Sequence, residues 1–284
     1  MNFKNIVNNI DSLPPLSNAA NIVRSLYASG VDDISISRLT KVIESDAMLA
    51  GFILKMINSP YYNLEHKVSS VYRAITLFGS KNTYMLVVRY SISQTIKADP
   101  SIYGFRNSQF NDLCQLQSSL MLQWYSKINI NEAKFLAPLA LIMESGKLIL
   151  ANEVIKSDYV GEFRKGFNEC ESIEEYEKSI IDTTSYCLTA LLFEHWNLEP
   201  EYVQILKNLD FKDREENNKN KNKQDKKYEK ILNIIRITIN VKDILSDTAI
   251  QKAANLVEEL GENASEFSDV AYALRESYLD SLSA

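Results

Sequence analysis

Leu13-Pro14-Pro15-Leu16 opens the stretch that decides the fold. The stretch continues through Ile43-Glu44-Ser45-Asp46-Ala47-Met48-Leu49, Met56-Ile57-Asn58-Ser59-Pro60-Tyr61-Tyr62, Lys67-Val68-Ser69-Ser70 and Ala74-Ile75-Thr76-Leu77-Phe78-Gly79 to Tyr90. Its punctuation reads as short, well-capped helices. Pro14-Pro15 stops a first helix over residues 1–12, on which Phe3, Ile6, Val7 and Ile10 share one side. Ser17 suits the N-cap of a helix to Ala28, with Ile22, Val23, Leu26 and Tyr27 inward and Gly30 beyond its end. Ser35 or Ser37 caps the next helix, which buries Leu39, Val42 and Ile43. Asp46 caps another, where Met48, Leu49, Phe52, Ile53, Met56 and Ile57 recur at three- and four-residue spacing. Asn58 sits at its end and Pro60 blocks continuation. Residues 61–67 form a loop, Ser70 starts a helix that ends at Gly79, and Ser80 caps one that runs to Ile96.

The same periodicity fills the rest of the chain. Helices are expected over Phe110–Ile128, over the very apolar Phe135–Ile155 with a break or bend at Gly146, over Ile173–Trp196 in one or two pieces, and from Pro200 onward. Residues 212–227 carry almost only Lys, Asn, Asp, Glu and Gln and read as a mobile polar loop or a solvated helix end, since nothing there offsets the entropy of ordering. Helices resume over Tyr228–Ile244, from Ser246 or Asp247 to Leu260, and over Ser265–Leu282. Among 284 residues there are only 8 Gly and 6 Pro, few for a turn-rich β fold, with 45% hydrophobic and 24% charged residues. The chain is therefore all-α: a multi-helix domain over residues 1–211, a polar charged loop over 212–227, and C-terminal helices over 228–284 that cover the same core.

A net charge of −6 argues against a general nucleic-acid or anionic-membrane binder. Three widely spaced cysteines, Cys114, Cys170 and Cys187, fit reduced thiols. No apolar run reaches the roughly 20 residues of a membrane span, and a cytoplasmic protein is expected. Ser37–Glu44 and Ala47–Ile57 have the lengths of a helix-turn-helix pair. Its second helix, however, offers only Lys55 and Asn58 to read bases, so packing rather than DNA reading is its use.

Several spaced motifs in one order resemble the HDOD domain, a non-enzymatic relative of the HD phosphohydrolases found in bacterial signalling proteins. The resemblance covers Leu13–Leu209. It is strongest at Leu13-Pro14-Pro15-Leu16, Glu44-Ser45-Asp46, Asn58-Ser59, Lys67-Val68-Ser69-Ser70 and Ala74–Gly79, and weaker at Trp196-Asn197-Leu198-Glu199-Pro200. It implies that Leu141-Ile142-Met143-Glu144-Ser145-Gly146-Lys147-Leu148 matches the signature in which HD enzymes carry a metal-binding His-Asp pair before a Gly-Lys turn. Met143 stands in the histidine's place and Glu144 in the aspartate's. Further family histidines fall near Ser185 and near Asp210-Phe211. The two histidines present, His66 and His195, match no ligand position: His66 is an exposed loop residue and His195 a partly buried structural one. A thioether does not replace an imidazole for such metals, so no phosphohydrolase activity, no metal and no cofactor are expected.

The resemblance further implies a bacterial output or adaptor module that works through protein–protein interaction with other signalling proteins, in motility or cyclic-nucleotide networks. Such modules are commonly joined to receiver, GGDEF or EAL domains, and here the HDOD module is expected to stand alone. Asn58, Ser59, Tyr61 and Tyr62 are its candidate interaction motif, with helix capping by Asn58 and packing of the tyrosines as the competing reading. The alternative function is a phosphohydrolase or nucleotide-binding protein with an atypical polar pocket near Glu144 and Lys147, to which Asp182 contributes.

Overall fold

The computed structural model describes residues 2–28, 35–96, 99–210 and 223–283, and among these the regular secondary structure is helical apart from one isolated β-bridge. The N-terminal group comprises α1 (Phe3–Asp11), α2 (Asn18–Ala28), α3 (Ile36–Glu44), α4 (Ala47–Ile57), a 3-10 turn Pro60–Tyr62, α5 (Val71–Phe78) and α6 (Ser80–Thr95). A 3-10 turn Pro100–Tyr103 leads to α7 (Asn107–Leu120), which runs on through a π turn at Met121–Tyr125. Then follow α8 (Ile130–Ile142), α9 (Ser145–Lys156), α10 (Val160–Glu169), α11 (Ile173–Ile181), α12 (Ser185–His195) and α13 (Pro200–Asn208). The C-terminal helices are α14 (Lys223–Thr238), α15 (Asp247–Leu260) and α16 (Ala264–Ser283).

The caps act as their side chains dictate. Asp46 accepts from the Met48 and Leu49 amides, Ser35 from Arg38, Ser70 from Arg73 and Ser246 from Ala249. Gly79, at φ 79°, ends α5 and opens α6, so Gly79 rather than Ser80 occupies the N-cap position. Helix α14 begins at Lys223 instead of Tyr228, because Lys227 and Gln224 reach Glu132 at 2.7 and 2.9 Å and fasten the first turn to α8. It ends at Thr238, before Ile244: Ile239 and Ile244 pair across a tight turn in which Asn240 Oδ1 accepts from the Lys242 and Asp243 amides. Gly30, Phe211 and most of the expected polar segment, residues 212–222, lie outside the described residues. Two residues expected inward face solvent, Met48 at 73% and Ile22 at 37% exposure, since each helix buries one stripe and these flank it.

Helix α8 lies against α6 and α7, and α9 lies along α12, which in turn packs on α13. Residues 130–156 are long and apolar enough to span a membrane by composition, with mean hydropathy 1.4, but 89% of that window is buried inside the protein. The pair is not one rod. It breaks at Met143-Glu144, two to three residues before the Gly146 that composition marks, where the Met143 amide closes α8 on Leu139 and the Lys147 amide reopens the helix on Glu144. Gly146 instead permits a close approach: a Cβ there would lie inside the Ser185 carbonyl and 2.9 Å from the Thr189 nitrogen on α12. The break turns Glu144 and Lys147 toward α7, α11 and α12 and so builds the centre described next.

The opening motif is also explained by packing. Trp196 Nε1 donates to the Pro14 carbonyl at 3.0 Å, and His195 Nε2 lies 3.0 Å from the Leu13 carbonyl. His195 and Trp196 thus hold the N-terminal strap on α12.

Candidate functional site

Glu144, Lys147 and Glu177 meet in the core, at 0%, 1% and 0% exposure. The Lys147 ammonium donates to Glu177 Oε1 at 3.0 Å and to Ser185 Oγ at 2.8 Å. Glu144 Oε2 lies 3.2 Å from it as an ion-pair contact. The Tyr186 and Tyr103 rings face the ammonium at 5.1 and 5.9 Å from their centroids.

Each carboxylate is held from its other side. Glu144 Oε1 accepts from Gln117 Nε2 and Tyr186 OH, both at 3.0 Å. Glu177 Oε2 accepts from the Ser185 amide at 2.7 Å, at the start of α12, and Tyr103 OH donates to Oε1 at 3.3 Å. Gln117 also donates to the Ile239 carbonyl, which ties the centre to the end of α14.

Burial alone would favour a neutral amine, but the adjacent Glu144 and Glu177 carboxylates outweigh it and hold the Lys147 ammonium well above its ordinary pKa. Burial, reinforced by Glu177 at Tyr103 and by Glu144 at Tyr186, pushes both hydroxyls well up, so they remain proton donors.

A second ion pair closes the outer side. Arg236 Nη1 lies 3.2 Å from Glu174 Oε1, and its guanidinium stacks 5.0 Å from the Tyr186 ring. Burial works against the Glu174 charge, yet Arg236 and then Lys147 hold its carboxyl below the usual value. A depressed folded-state pKa adds stability above the unfolded value of about 4.3 and loses it as pH falls through the folded one. Arg236→Met is therefore expected to cost about 2 kcal/mol at pH 7. The ion-pair part of that deficit should close below about pH 4, while the part due to lost stacking persists. Urea titrations of both proteins across pH 3–8 check this.

Of the residues marked by sequence, Met143 is fully buried core at the end of α8, and Glu144 and Lys147 do meet. The second carboxylate is Glu177, not Asp182, which takes the left-handed position after α11 at φ 59°. The expected open pocket is an enclosed centre. Glu177 had a readable signal: on α11 it lies four residues from both Ile173 and Ile181, on the apolar stripe. Arg236 likewise shares a stripe with Leu232, Ile235 and Ile239. Tyr103, in a short turn, carried no such mark.

Asn58 braces its loop with three hydrogen bonds, donating to the Leu54 and Val68 carbonyls at 2.7 and 2.8 Å and accepting from the Val68 amide at 2.7 Å. The Leu54 carbonyl keeps the Asn58 backbone amide as a donor, so Asn58→Ala should cost about 2 kcal/mol by leaving the Val68 amide and carbonyl unpaired, read as a lower urea midpoint at unchanged m-value.

The tyrosines of the candidate interaction motif turn inward. Tyr61 is 3% exposed, stacks at a tilt on Tyr278 of α16 and bonds Ser281, while Ser119 and Gln123 hold its carbonyl. Tyr62 packs edge-on against Phe78, and burial pushes its hydroxyl up to about 12. An exposed aromatic patch is thus not what this loop offers. Outside it lies a groove of about 1100 Å³ lined by Lys55, Ser59, His66 and Lys67 on one side and by Ser277 and Asp280 of α16 on the other.

The ligands present do not fit a catalytic metal: among the described residues no three His, Cys, Asp or Glu side chains converge. The two carboxylates that do converge already enclose an ammonium.

The family model for the HDOD domain matches residues 13–210. No curated protein matches the chain. Among solved structures, the chain resembles a virulence factor of Campylobacter jejuni at 21% identity, TM-score 0.54, over 93% of this chain and 94% of that one. It resembles a protein of Shewanella amazonensis provisionally assigned as a phosphohydrolase at 14% identity, TM-score 0.68, over 96% and 94%. It also resembles an HDOD domain protein of Geobacter sulfurreducens at 11% identity, TM-score 0.65, over 98% and 94%. At these identities the likeness is one of fold.

Proposed function

This chain belongs to the HDOD domain family, and on that premise we propose that it is a non-enzymatic signal-transduction module that acts by binding other proteins. One observation carries the reading: the Lys147 ammonium sits between Glu144 and Glu177. Metal-assisted hydrolysis needs an ion with an open coordination position that a substrate can reach. Here a tethered cation holds the space between the carboxylates, Met143 stands where the family resemblance places one imidazole ligand, and protein encloses the whole. The same enclosure counts against the nucleotide-binding alternative.

Elemental analysis of untagged protein by ICP mass spectrometry, paired with hydrolysis assays on nucleotides and phosphoesters, tests this. Neither stoichiometric metal nor turnover is expected. Stoichiometric Mn, Fe, Ni or Zn together with turnover would overturn it.

For the binding role, the groove beside Asn58–Ser69 is the surface to probe. Lys67→Glu should weaken co-purification with bacterial signalling proteins while leaving the circular dichroism unchanged. Unaltered co-purification would move the interaction face elsewhere.

A further inference from the structure

The Lys147 surroundings have the form of a binding site. Two carboxylate oxygens and one hydroxyl oxygen lie 2.8–3.2 Å from a single nitrogen. Two tyrosine rings, held by their own hydroxyls on the same carboxylates, add cation–π faces. Outer hydrogen bonds from Gln117 and the Ser185 amide fix the carboxylates without the lysine's help. The shell is thus positioned by α7, α11, α12 and the 3-10 turn at Tyr103, and completed by Glu144 at the N-cap of α9, the helix that also carries the occupant. Its two carboxylates outnumber the one ammonium they share, and the neighbouring Glu174–Arg236 pair is balanced in charge.

We propose that this centre is a preorganised alkylammonium site whose ligand is supplied by the chain itself. The lysine tether provides high effective concentration, which keeps the site filled. The proposal concerns the same centre as the functional reading but is tested by binding and stability rather than turnover, so either can fail alone.

Lys147→Ala retains Cβ and removes three carbons and the nitrogen, the heavy atoms of propylammonium. In Lys147→Ala, added propylammonium chloride should raise Tm with the logarithm of its concentration once above Kd, by about 3–5 °C at roughly 100 times Kd. Propanol at equal concentration, with the same shape and no charge, should not do so. Wild type, with the site filled, should show neither response beyond that of matched sodium chloride. An equal response to propanol, or none to propylammonium, would overturn the proposal.

Lys147→Ala with Glu177→Gln guards against failure to fold: it removes one of the two buried charges. It should be more stable than the single variant while binding propylammonium at least about tenfold more weakly. Unchanged affinity there, or no gain of folded protein in either variant on adding propylammonium, would also overturn it.

Discussion

Lys147→Met is expected to lower stability by about 3–5 kcal/mol at neutral pH, the range for removing one partner of a buried ion pair. Methionine keeps most of the lysine stem and its packing. The loss therefore isolates the charge. Glu144 and Glu177 are both at 0% exposure, and without the ammonium each is left buried with only neutral donors. A raised lysine pKa contributes stability that is complete below the unfolded value of about 10.4 and fades only as pH rises through the still higher folded one. Wild type should accordingly keep this contribution unchanged from about pH 5 to 9.

The magnitude separates two accounts. If the cluster is a net stabiliser as an assembly, neutralising all of it with Lys147→Met, Glu144→Gln and Glu177→Gln leaves the protein as destabilised as Lys147→Met alone. If the cost lies in unpaired charge, the triple variant recovers most of the loss, since a buried pair replaced by neutral groups is often near break-even. Recovery is the expected result, read from urea midpoints at constant m-value.

The sequence carried the helices well because their signals are local. Asp46, Ser70 and Ser246 cap where spacing places them, and Asn58 bonds both its own helix end and the following loop. What failed locally failed through contacts distant in sequence. Helix α14 starts early because Glu132, 95 residues away, anchors Lys227. Tyr61 turns inward because α16, 220 residues on, offers Ser281. The centre was half legible. Met143 and Glu144 showed that an imidazole set was missing, but not what took its place. That answer needed Glu177, an acid on an apolar stripe, and the break at Met143-Glu144 that aims Lys147 at it. Composition pointed instead to Gly146, whose need for a small residue is real but lies across α9 and α12.

That need makes the second large effect. Gly146→Ala is expected to cost about 3 kcal/mol or more, at or beyond the upper end for overpacking. The new Cβ would fall inside the Ser185 carbonyl oxygen and stand 2.8 Å from its carbon and 2.9 Å from the Thr189 nitrogen. These are backbone atoms of α12, which cannot swing aside as a side chain can. Relief requires α9 and α12 to part. Their contact is also held by the Gly146 amide donating to Thr189 Oγ1 at 2.8 Å, while that hydroxyl lies 2.8 and 3.0 Å from the Met143 and Ser185 carbonyls. Parting the helices draws Ser185 away from Lys147 and loosens its amide from Glu177, now 2.7 Å apart. The damage should therefore reach the buried centre. Alanine is otherwise the better helix former by about 1 kcal/mol, so propensity alone predicts a gain, and the sign of the change decides between the two effects. Hydrogen exchange gives the sharper reading. Gly146→Ala should raise the exchange of the Ser185 and Thr189 amides while sparing the caps of α3 and α4. A uniform rise across the chain would instead mean that only global stability had changed.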